Sequence, residues 1–223
     1  NYVQITIVKT RQEKYAFDIF DSLNSTGEPL TAIQTFKPQV IRDEEENKTY
    51  RNSPSEQYFN IIEDYINQFP NSDSKQKESK DLIVPFALYI SGEKISRNLD
   101  EQRRYLRNNY NTLTTLLDKR RFVQRLSEIA IYKKNFWISE EIENQLPNEP
   151  GRQLILVCLQ FLNDLNNSLT IPILSRYYFE SKSKNNLNIF KDAVKALTAF
   201  VLLRRGVTGG TGGIDSDLRA LMS

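Results

Sequence analysis

Beyond residue 50 the apolar residues recur at helical spacing, and that periodicity predicts a helical bundle. Tyr58, Ile61, Ile62, Tyr65, Ile66 and Phe69 fall at i, i+3, i+4, i+7, i+8 and i+11, and Ser53-Pro54 supplies an N-cap and a first-turn proline ahead of them. Ile83, Phe86, Ala87 and Ile90 repeat the pattern, with Pro85 expected in a first turn. Leu106, Tyr110, Leu113 and Leu117 continue it, then Phe122, Leu126, Ile129 and Ala130. The spans 154–165 and 189–203 are apolar nearly all round, which predicts helices at the centre of the bundle. Polar, turn-rich stretches at 70–80, 147–151 and 182–186 predict the loops between them.

The first 42 residues read differently. Tyr2 to Val8 alternates Val3, Ile5 and Ile7 with Gln4 and Thr6, the period of a half-buried strand. A single strand leaves its backbone donors and acceptors unpaired, so its partners are expected in upstream residues of the same protein or in another chain. Tyr15, Phe17, Ile19, Phe20 and Leu23 then share one side of a short helix, which Asn24-Ser25-Thr26-Gly27 stops. Thr31 suits the N-cap of a short turn through Phe36, ahead of Pro38. The fold expected is mainly α, with a short α/β remnant over residues 1–42 (one strand, one helix, one turn) and a helical domain over residues 43–223. The chain begins at Asn1 rather than Met and ends at Ser223 within helix-like sequence, so it reads as part of something longer.

Composition removes whole classes of chemistry. There is no histidine, which excludes Ser-His-Asp and Cys-His catalysis, His-ligated zinc and His-dependent nucleases within these residues. The single cysteine, Cys158, sits in the most apolar segment and is expected to be buried. The triplet Glu44-Glu45-Glu46 and the group Glu140, Glu141 and Glu143 lack companions at ligand spacing, so they read as solvated acidic faces and no metal is expected. Trp137, the only tryptophan, reads as a core anchor. No apolar run is long enough to span a bilayer and no signal peptide is visible, so the expected location is cytoplasmic, with no membrane partner.

The formal net charge of +2 conceals strong segregation. Residues 43–81 hold ten acids against five bases, whereas residues 101–134 hold nine bases against three acids. Arg103, Arg104, Arg107, Lys119, Arg120, Arg121 and Arg125 in that basic stretch suit contacts to nucleic-acid phosphates, with Tyr105, Tyr110 and Tyr132 available to stack on bases. The competing reading is a solvated helix face whose cations offset the acidic neighbours. Five of the eight glycines lie in 206–213, just before Ile214-Asp215-Ser216-Asp217. That loop lacks the lysine of a P-loop and reads as a connector with Asp215 as helix N-cap, while Arg204 and Arg205 before it are further candidates for DNA phosphates.

One stretch carries a family resemblance. Tyr15-Ala16-Phe17-Asp18-Ile19-Phe20-Asp21-Ser22-Leu23-Asn24-Ser25-Thr26-Gly27-Glu28-Pro29-Leu30-Thr31 resembles the F-(D/E)-x-(L/I)-N-x-x-G-x-x-L-(S/T) motif of GmrSD-type restriction proteins, continuing through Thr35-Phe36-Lys37-Pro38. A second echo is Gly209-Gly210-Thr211-Gly212-Gly213-Ile214-Asp215-Ser216-Asp217-Leu218-Arg219, which looks like a connector late in that family's helical region. The family comprises modification-dependent DNA restriction and phage-defence proteins with a ParB/sulfiredoxin-like NTPase domain. The resemblance implies that residues 1–42 close such a domain and that Asn24, Ser25, Thr26 and Gly27 lie near its nucleotide. It further implies that the helical region links the NTPase to a downstream effector and that the parent uses an NTP and a divalent metal. Two departures limit the transfer: the family's D-G-Q-Q-R motif is missing, and its nuclease half depends on histidine. No cofactor is therefore expected in this chain, and the chain alone is expected to be inactive as NTPase and nuclease. DNA and the missing parts of the same protein, or a partner chain, are the expected partners. The alternative is a non-enzymatic helical module that binds another protein.

Overall fold

The structure, a computed structural model, describes residues 30–47, 49–139, 142–165, 168–208 and 214–220. The expected strand, the motif helix, the Asn24–Gly27 bend and the glycines at 209–213 lie outside the described residues. Nine α-helices make up the described chain: α1 Ala32–Asn47, α2 Pro54–Asn67, α3 Ser72–Ser91, α4 Leu99–Asn111, α5 Leu116–Tyr132, α6 Arg152–Asp164, α7 Thr170–Ser183, α8 Asn188–Thr208 and α9 Ile214–Ala220. A π turn over Lys133–Trp137 extends α5, and a short 3-10 turn covers Ile142–Gln145. The fold is mainly α, a helical bundle, and no strand occurs among the described residues.

Local chemistry explains most helix starts. The Ser53 hydroxyl accepts from the Glu56 amide at 3.2 Å, with Pro54 at the first helical position of α2. Asn98 and Thr115 cap α4 and α5 in the same way. Asn71 and Ser74 form a reciprocal capping box that starts α3 at residue 72, inside the stretch expected to be a loop. Its first turns are polar, so apolar spacing gives no sign of them. Two prolines also sit inside helices against expectation. Pro85 lies deep in α3, and α1 runs through Pro38 instead of stopping before it, across residue 42. Pro38 removes one amide donor from α1, and both Pro38 and Gln34, whose carbonyl loses that partner, are exposed residues.

The centre of the bundle is α5, the helix richest in expected surface cations. It packs on α1, α2, α3 and α7. Its first half meets an aromatic cluster in which Phe122 lies 4.8 Å from Phe86, 5.9 Å from Tyr110 and 6.0 Å from Phe36, mostly edge to face. Its far end meets a second cluster: Phe136 lies 5.3 Å from Tyr132, 5.0 Å from Tyr178 and 5.1 Å from Phe190. The π turn adds a residue to the helical repeat and turns Phe136 inward; its carbonyl accepts from the Asn163 side chain at 2.6 Å. Trp137 packs partly buried against this core, and Cys158 is buried.

The two most apolar segments are not central. Leu154 and Val157 of α6, and Leu202 and Leu203 of α8, are exposed, because only one side of each helix meets the rest of the bundle. Leu117, read as a core position, is exposed in the first turn of α5. Phe122→Ala is expected to destabilise the chain by about 4 kcal/mol. Leu117→Ala should change stability by less than about 0.5 kcal/mol. Urea unfolding measures both, and similar losses would contradict the placement of α5.

Candidate nucleic-acid interface

The basic residues of 101–134 divide sharply by where the helices carry them. The α5 residues Lys119 and Arg120 turn inward onto α1. The Arg120 guanidinium grips Glu44 through Nε at 2.9 Å and Nη2 at 2.7 Å, and the Ser55 hydroxyl donates to the same carboxylate at 2.6 Å. Glu44 is wholly buried. Burial alone would raise its pKa; the bonds from Arg120 and Ser55 and the guanidinium charge outweigh that and hold the carboxyl below its ordinary 4.5. Beside it Lys119 pairs with Asp43 and lies 5.1 Å from the centre of the Tyr110 ring. Glu44 was expected on a solvated acidic face; it falls on the buried side of α1 with Phe36 and Val40, spaced four residues apart.

Arg125 is also engaged, 2.7 Å from Glu128 and 5.5 Å from the centre of the Tyr89 ring. For Glu128 burial prevails over the bonds from Arg125 and Gln124, and its pKa is raised. Arg103 donates to the Leu30 carbonyl at 2.9 Å and ties α4 to the entrance of α1. Arg204 meets Asp217 at 3.0 Å and joins α8 to α9, while Arg205 is half-buried. Arg121 is exposed, 3.5 Å from Asp118 on its own helix. Arg104 and Arg107 stand three residues apart on the exposed face of α4 with Asn108 and Asn111; Arg104 shares its field with Glu101 one turn earlier, and Arg107 forms no salt bridge among the described residues. The nine cations therefore occupy α4, α5 and α8, and only Arg104, Arg107 and Arg121 combine high exposure with a free outward charge or a weak local pair. Tyr105, Tyr110 and Tyr132, expected as stacking surfaces, are all buried and offer none.

A second ionic group escaped the sequence reading. Lys133, only 3 % exposed, reaches Glu78 at 2.8 Å, and the Tyr65 hydroxyl donates to the same carboxylate oxygen at 2.8 Å. Burial would raise the Glu78 pKa, yet Lys133, Tyr65 and Lys77 lower it. The signal was present: Lys133 continues the Leu126, Ile129 and Ala130 stripe at helical spacing, so it had to be buried and paired.

No family model and no curated protein matches the chain. Among the described residues no group of three or more His, Cys, Asp or Glu could hold a metal ion, and no helix is long and apolar enough to cross a membrane. What the described surface provides is a pair of exposed arginines on α4 beside a core stitched by internal ion pairs.

Arg120→Ala should cost about 3 kcal/mol at pH 7, because it leaves Glu44 buried and charged without its partner. Arg121→Ala should cost less than about 0.5 kcal/mol. The folded pKa of Glu44 lies below the unfolded one, so the stability from its pairing is present above about pH 4.5 and fades as pH falls through the folded pKa. The Arg120→Ala deficit should therefore shrink as the pH falls from about 7 through the folded pKa of Glu44. Equal losses for the two arginines at pH 7, by urea unfolding, would contradict this assignment.

Proposed function

We propose that the chain is the helical scaffold of a GmrSD-like DNA restriction or phage-defence protein, set between an NTPase domain and a downstream effector. The observation that supports this most is the mounting of α1. The motif residues end at Thr31, and α1 begins at the next residue. Arg103 holds Leu30, Lys37 reaches Glu63 on α2 at 2.5 Å, and Asp43 and Glu44 lock onto α5. A displacement at Leu30 would therefore be passed to α2, α4 and α5 together, which suits a part that transmits the state of a preceding domain. DNA contact, in this reading, falls to the backbone phosphates and to Arg104 and Arg107 of α4, since Lys119, Arg120 and Arg125 already serve internal carboxylates.

A second reading, a helical module that binds another protein, draws on Leu154 and Val157 of α6 and Leu202 of α8, all exposed. The two readings differ in their response to salt. Phosphate contacts weaken steeply as salt rises, whereas apolar docking tolerates it. Duplex DNA should bind the full chain in about 50 mM salt, lose affinity by at least tenfold at about 200 mM, and fail to bind Arg104→Glu/Arg107→Glu protein that keeps its thermal midpoint. Salt-independent binding, or binding unchanged in the double variant, would contradict the DNA contact. The chain alone should hydrolyse neither NTP nor DNA in the presence of magnesium; turnover of either would contradict the scaffold role.

A further inference from the structure

A groove of about 310 Å³ opens between α7 and α8 beside the end of α3. Its lining is apolar and aromatic, with Tyr89, Ile173, Tyr177, Ala196, Leu197 and Phe200 prominent, and it holds one charge, Arg176. Ala196, whose side chain is small, lines it together with the bulkier Tyr177 and Phe200. On α8 the same face continues outward through Leu203 and Val207, at helical spacing from Ala196 and Phe200, and these two are 71 % and 83 % exposed. An apolar rail thus leads away from a cationic end.

Arg176 distinguishes this groove from an ordinary gap between helices. Its guanidinium lies 5.7 Å from the centre of the Tyr89 ring, opposite no carboxylate among the described residues. The other cation over Tyr89, Arg125, is already neutralised by Glu128. The nearest acid on its own helix, Glu180, is taken by Lys184 at 2.7 Å, and Asp192 on α8 by Lys195 at 2.6 Å. An aromatic face holds the guanidinium plane in position while leaving its donors unspent. We infer that this groove binds a small amphiphilic carboxylate, its head paired with Arg176 and its apolar body laid over Ala196, Leu197 and Phe200 toward Leu203. The volume lies within the range of small-molecule sites, and an apolar wall with one orienting polar group is their usual construction. A carboxylate matches the planar fork of arginine in a two-point hydrogen bond that a cation or an alcohol cannot reproduce.

Calorimetric titration of the full chain with sodium decanoate, below its micelle concentration, tests this. Saturable binding of one decanoate per chain is expected. Decyltrimethylammonium, with the same tail and the opposite charge, should bind at least about tenfold more weakly. Arg176→Gln should weaken decanoate by about tenfold or more, and Ala196→Trp, which fills an exposed part of the groove, should abolish binding. Circular dichroism of each variant serves as the check that the helices are kept, which is expected because both positions are exposed. Absence of saturable binding, equal affinity for the two amphiphiles, affinity unchanged in both variants, or a dimer in solution that covers this face and disperses with Ala196→Trp would each overturn the assignment.

Discussion

A buried carboxylate cannot stay ionised without a partner, and Glu44 has one only because Arg120 reaches it from a helix 76 residues away in the chain. That single pairing fixes how α1 lies on α5, and α5 in turn sits against α1, α2, α3 and α7. Two aromatic clusters, one at Phe122 and one at Phe136, fasten opposite ends of the same helix. Apolar contact supplies the larger share of the drive to fold, being non-directional and proportional to area. The ion pairs supply register. Arg120 with Glu44, Lys119 with Asp43, and Lys133 with Glu78 each demand one alignment of two helices, because a slip would leave a charge buried alone.

The same pairing reshapes the functional question. A run of nine bases in 34 residues invites a nucleic-acid reading, and the charge totals alone support it. The folded arrangement directs part of that charge inward, where it answers the acidic stretch of residues 43–81. The segregation of charge along the sequence is thus in good part the mark of helices that attract each other. What is left outward, chiefly Arg104 and Arg107, is a smaller surface suited to positioning a phosphate backbone rather than reading bases. The GmrSD-like reading proposed from residues 15–31 is the reason to test DNA at all.

Helical periodicity revealed the class of fold and many of the helices, with the Ser53-Pro54 start of α2 and the turn near residues 182–186 legible from residue types alone. It could not show which helix is central. A stripe such as Phe122, Leu126 and Ile129 says that one face is covered; the depth of the cover depends on partners distant in sequence. The most apolar segments, α6 and α8, looked central and are peripheral, while the basic α5 is enclosed because its cations find carboxylates. The start of α3 stayed hidden because a capping box of Asn71 and Ser74 sustains a polar turn that no hydrophobic pattern marks. Glu44 and Lys133 were legible in part: each continues an apolar stripe, and a charge at such a position requires a buried counter-charge.

A coupled ion pair, and not apolar contact alone, holds α1 and α5 in register. A double-mutant cycle on the full chain, with Glu44→Gln, Arg120→Met and the combination, measures that coupling by urea unfolding at neutral pH. A coupling of about 2 kcal/mol or more is expected, with the double variant losing far less than the two single losses added together. Losses that add to within about 0.5 kcal/mol would contradict it.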